Sequence, residues 1–136
     1  VLNLWFIKKI LSIGSYQYIV ASNFLGSSKI SIYYENSNLM TTELEMPDCE
    51  IYDMIILNND ILIASSSGLY KFSLLGNSIT TISNNHICNK IVNEELNQEI
   101  YLICGNELWS FDNLSNLNLV NTTFDSIKDY IPYYNK

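Results

Sequence analysis

Ile61-Leu62-Ile63-Ala64-Ser65-Ser66-Ser67-Gly68-Leu69-Tyr70-Lys71-Phe72 reads as an apolar strand ending in small residues, a polar turn, and a second strand that carries aromatics. The same pattern stands at Tyr18-Ile19-Val20-Ala21-Ser22 and at Tyr101-Leu102-Ile103-Cys104-Gly105, each followed within a few residues by another aromatic-bearing run. Taking Ala21, Ala64 and Cys104 as equivalent, the steps are 64 − 21 = 43 and 104 − 64 = 40 residues.

Outward from this stretch, helical periodicity is nearly absent. Short apolar or alternating runs are separated by Asn, Ser, Gly and Asp, which predicts an all-β chain. Strands are expected near Leu4 to Ile10, Tyr16 to Ser22, Lys29 to Tyr34 and Leu39 to Glu45 in a first unit. A second holds Ile51 to Leu57, Ile61 to Ser66, Leu69 to Leu74 and Ser78 to Ser83, and a third Asn89 to Asn93, Glu99 to Cys104, Glu107 to Asp112 and Leu117 to Thr122. Turns at Asn58-Asn59-Asp60, Gly76-Asn77 and Gly105-Asn106 use residues that tolerate left-handed backbone or bond their own chain. Four strands per unit at a period of about 40 to 45 residues mark propeller blades, each a four-stranded antiparallel sheet. Three Ile-x-x-x-Ile pairs, Ile51 and Ile55, Ile87 and Ile91, Ile127 and Ile131, give a second register. The units then run roughly 4–46, 47–84 and 85–124, with a fourth beginning in 125–136. Four blades at this period need roughly 160 residues, so 136 residues predict an incomplete propeller. A β-trefoil, also three units of four strands, is the alternative.

The charge narrows the partners. All seven basic residues are Lys, and a formal net charge of −7 repels a phosphate backbone. Without Arg the chain lacks the side chain best suited to bidentate phosphate or guanine contacts, so direct nucleic-acid binding is not expected. No apolar run reaches the 18 or so residues of a membrane span. Lys8-Lys9 interrupts the apolar opening, which predicts neither a signal peptide nor a membrane association. Cys49, Cys88 and Cys104 are odd in number and widely spaced, a pattern that suits buried thiols in an intracellular, reducing compartment.

His86-Ile87-Cys88-Asn89-Lys90-Ile91, then Ile100 to Gly105, then Leu108-Trp109-Ser110-Phe111-Asp112 resembles a divergent WD40 repeat, although Asn85 stands where that family has Gly before its His. The resemblance implies that His86 is a structural residue and that Phe111 and Asp112 hold one blade to the next. It also implies that two sets of loops form one recognition face. On this chain those loops carry Asp48, His86 and Asp125, and Phe24, Leu25, Ser66, Ser67, Asn106 and Glu107. Recognition residues concentrate on loops held by a rigid scaffold.

Chemistry has little to build on. Nucleophilic catalysis needs a base against a Ser or Cys, and the single His, with Cys88 two positions away on the same strand face, is a thin basis for a dyad. Glu43 and Glu45 read as exposed strand polarity, and no Gly-rich phosphate loop is present. No catalytic residue, metal or cofactor is assigned. The expected function is a non-catalytic protein-protein interaction scaffold acting within a larger complex, with a basic peptide or protein surface as partner and with further blades or another subunit closing the sheet. The alternatives are a trefoil module binding carbohydrate or protein, and a ligand-sensing or enzymatic propeller domain.

Overall fold

The computed structural model describes residues 5–94, 99–112 and 116–121. The first sheet comprises β1 (Phe6–Gly14), β2 (Gln17–Phe24), β3 (Ser27–Tyr34) and β4 (Leu39–Met46). The second comprises β5 (Ile51–Leu57), β6 (Asp60–Ser65), β7 (Gly68–Ser73) and β8 (Ser78–Ser83). The third comprises β9 (Lys90–Glu94), β10 (Glu99–Cys104), β11 (Glu107–Phe111) and β12 (Leu117–Asn121). Within each sheet consecutive strands are neighbours and antiparallel. This is an all-β fold of three propeller-like blades. Among the described residues no strand pairs across sheets, so the trefoil alternative falls.

Two-residue turns set the hairpin registers: Phe24 pairs with Ser27, Ser65 with Gly68 and Cys104 with Glu107. Most strand ends differ from expectation by one or two residues, and β1 differs most. β1 runs on to Gly14, because Leu11 and Ile13 continue the apolar alternation into the core and Lys9, which looked like a break, finds a carboxylate.

Alternation along β6 explains the stacking. Ile61 and Ile63 face the first sheet, packing with Phe72 against Ile19, Ala21 and Ile30. Leu62 and Ala64 face the third, packing with Leu69 against Ile100, Leu102, Cys104 and Phe111. A sheet covered on both faces reads as a continuous apolar run, and that is why Ile61 to Ala64 contains no polar residue. The stacking also corrects the repeat. Cys104 faces backwards like Ile63 and Ser65, so the counterpart of Ala64 is the fully buried Ile103. The second Ile register is likewise one residue out. Ile87 is exposed, and Cys88 takes the buried place that Ile51 holds in the second sheet.

That shift brings the cysteines together. Ile51 and Ser65 are register partners across β5 and β6, and their counterparts Cys88 and Cys104 are joined by a disulfide. The expectation of three free thiols is therefore replaced by one bond and one buried thiol, Cys49. The sequence separation of 16 is short, yet closing such a loop constrains the unfolded chain by about 3 kcal/mol. Alkylation under denaturing conditions should find one thiol before reduction and three after, and reduction should lower the urea midpoint in the parent chain but not in Cys104→Ser.

Asp53 joins all three sheets. It lies on the inner strand β5 and is buried, and its Oδ1 accepts from the Met54 amide at 2.9 Å and pairs with Lys9 Nζ of β1 at 3.0 Å. Its Oδ2 accepts from the Ile91 amide of β9 at 2.8 Å. Lys9 is 35% exposed, so the pair is only partly desolvated and its Coulomb gain is reduced by solvent. Asp53→Ala also leaves the Met54 and Ile91 amides without their acceptor and should lower unfolding stability in urea by about 2–3 kcal/mol. Asp53→Asn, which keeps one acceptor oxygen, should lose less, and Lys9→Met should also destabilise because it leaves the buried carboxylate without its cation.

Candidate functional site

One end of the stacked sheets gathers three hairpin turns and two inter-sheet connections. Side-chain to backbone bonds tie them together. The Asp48 amide donates to Ser27 Oγ at 3.2 Å, the Glu50 amide donates to Ser66 Oγ at 2.9 Å, and the Ser66 amide donates to the Glu50 carbonyl at 2.9 Å. Asn23 anchors the first hairpin from below: its Nδ2 donates to the Ile51 carbonyl at 2.9 Å, and its Oδ1 accepts from the Ile51 amide at 3.0 Å.

Phe24, Leu25, Asp48, Ser66, Ser67, His86, Asn106 and Glu107 all fall on this end; Asp125 lies outside the described residues. Ser66 and Asp48 are engaged in the backbone ties above. His86 sits in the β8–β9 connection, where Nδ1 meets Ser83 Oγ at 2.5 Å and the ring stands edge-on to Trp109, centroids 4.4 Å apart. Trp109 Nε1 in turn donates to Glu107 Oε1 at 3.3 Å. Cys88 has no thiol to offer His86, so a Cys-His dyad does not exist here. Asp112 bonds the Asn116 amide at 2.9 Å and so closes the β11–β12 turn, whereas Phe111 packs against the second sheet. No group of three or more His, Cys, Asp or Glu able to hold a metal occurs among the described residues.

The first sheet carries the distinctive part of this end. Trp5, Phe24, Leu25, Ser27, Ser28, Glu45 and Pro47 line a groove of about 410 Å³. Trp5 lies 5.6 Å from the Phe24 ring, and Lys29 Nζ stands 4.5 Å above Trp5. Leu25 sits at the lip, 88% exposed, with φ of +48°. Together with Gly26 at +81° it forms a turn with both central residues left-handed, a type that favours Asn-Gly and penalises Leu. A large apolar side chain held exposed in a costly conformation is the kind of outlier that points from structure to function. Trp5, Glu45 and Pro47 were not selected from the sequence, because Trp5 precedes β1 and the other two lie at the end of β4, and only the pairing of β1 with β2 and of β4 with β3 brings them to Leu25.

No protein-family model and no curated protein matches this chain. Among solved structures it is similar to the N-terminal domain of Nup159, with a TM-score of 0.57 and 11% identity over 85% of this chain and 30% of that one. It is also similar to the extracellular domain of a putative one-component system from B. thetaiotaomicron, with a TM-score of 0.57 and 11% identity over 93% of this chain and 16% of that one. Both are propeller-like domains, so the likeness supports the fold, and the chain spans less than a third of either. The fold class is therefore that of an incomplete propeller.

Leu25→Asn should relieve the left-handed strain and raise unfolding stability by about 1 kcal/mol in a urea titration. A loss of stability would mean that Leu25 packs rather than waits for a partner.

Proposed function

We propose that the chain is a non-catalytic binding module of the WD40 type that works inside a larger complex, and that its recognition end takes a basic peptide with an apolar anchor. The observation that carries this is Leu25, exposed and strained at the lip of an aromatic groove. Glu45 lines the groove, where Lys29 also stands over Trp5, and Asp48, Glu50 and Glu107 lie elsewhere along the same end. With a formal net charge of −7, the long-range field also favours cationic partners. Trp5 and Phe24 supply rigid area for the anchor, and large aromatic residues dominate binding energy at such sites. Further blades or a second subunit complete the sheet stack.

Two observations bear on the compartment in opposite senses. An intracellular setting was expected from the odd cysteine count, whereas disulfides such as Cys88–Cys104 persist in oxidising surroundings. Thiol alkylation of the protein in its own cells separates the two.

Panning a random twelve-residue peptide library on the full chain tests the function. Enriched peptides should combine Lys or Arg with an aromatic or aliphatic residue, bind more weakly as salt rises, and lose at least tenfold in affinity for Leu25→Ser or Trp5→Ala. Leu75→Ser, in the β7–β8 turn, should leave binding unchanged. Peptides with no basic preference, or equally retained by Leu25→Ser, would count against this reading.

A further inference from the structure

Lys9, Asp53 and Lys90 hold the same place on the inner strands of successive sheets. Lys9 pairs in register with Ala21, Asp53 with Ala64, and Lys90 with Ile103, the three equivalent positions of the second strands. Each is on the face turned to the sheet that follows. Lys9 reaches Asp53, and Asp53 reaches the Ile91 amide beside Lys90. The signs alternate along the stack, positive, negative, positive. Among the described residues Lys90 is half-buried and makes no ion pair, on the outer face of the third sheet with Val92, Ile103 and Leu108.

We propose that this outer face docks the chain's own segment Ile127-Lys128-Asp129-Tyr130-Ile131 as the inner strand of a fourth sheet, with Asp129 pairing to Lys90 as Asp53 pairs to Lys9. Residues 122–136 lie outside the described residues, and the match is one of sequence. Ile51-Tyr52-Asp53-Met54-Ile55 and Ile127-Lys128-Asp129-Tyr130-Ile131 share Ile-x-Asp-x-Ile. The connection from each fourth strand is similar in length, seven residues from Met46 to Asp53 and from Ser83 to Lys90 and eight from Asn121 to Asp129, so the segment reaches the same place with one extra residue in its connection. A connection this short reaches the adjacent position in the stack rather than a remote one. Charge complementarity then selects the register. Asp129 opposite Lys90 continues the alternation, whereas a slip by one residue sets Lys128 against Lys90 and turns the two isoleucines to the other side. The docking is independent of what the recognition end binds.

A double-mutant cycle on the full 136-residue chain tests the pair. Lys90→Gln and Asp129→Asn should each lower the folding equilibrium constant by roughly fivefold, and the double variant should lose little more than the worse single. Reversing both charges, Lys90→Asp with Asp129→Lys, should recover most of what either reversal alone removes. Effects that multiply, or an Asp129→Asn chain as stable as the parent, would overturn the pairing. Hydrogen exchange gives a second reading that needs no variant. Amides of Ile127 to Ile131 should be protected like those of Ile51 to Ile55, and exchange at the rate of a free tail would overturn the docking itself.

Discussion

The structure depends on one buried carboxylate. Asp53 places Oδ1 against the Lys9 ammonium of the first sheet and Oδ2 against the Ile91 amide of the third, so a single side chain fixes the spacing of all three inner strands. Burying a charge is costly unless it is paired and its lone pairs are used, and here both oxygens are occupied. The apolar layers on either side would tolerate small slides of one sheet over another. The carboxylate does not, because its partners are an ammonium and an N–H of defined direction.

Asn23 performs the neutral version of the same task. Its carboxamide takes both the amide and the carbonyl of Ile51, at 3.0 and 2.9 Å, and so clamps the end of β2 to the start of β5. The next residues along the chain are Phe24 and Leu25. The hairpin that carries the exposed, left-handed Leu25 therefore rises from a point held by two hydrogen bonds, and its strain is stored rather than relaxed. Rigidity below and an unsatisfied apolar tip above are the two conditions under which a loop binds without first losing much conformational entropy.

How far the residues themselves disclosed this can be judged from particular places. All twelve strands were legible, because period-2 runs punctuated by Asn, Gly and Asp admit few other readings. The equivalence of repeats was legible only to within a residue. Ala64 and Cys104 align by size and by neighbouring Ser or Gly, but the two-residue hairpins place Cys104 beside Ser65's position and Ile103 beside Ala64's. That one-residue error hid the disulfide, since Cys88 and Cys104 become cross-strand partners only in the correct register. In a sheet, a shift of one residue exchanges the faces, so small errors of alignment become large errors of contact.

The sequence by itself determined the class of strand, the sites of the turns and the alternation that lets β6 bury both faces, because these follow from local sterics and hydrophobic period. Only the tertiary structure decided that Lys9 is an inner-strand partner rather than a break, that His86 leans on Ser83 and Trp109, and that Trp5, Glu45 and Pro47 join Leu25 in one groove. Those are relations between residues far apart in the chain. They are set by the docking of neighbouring strands and whole sheets, which the local pattern permits but does not specify.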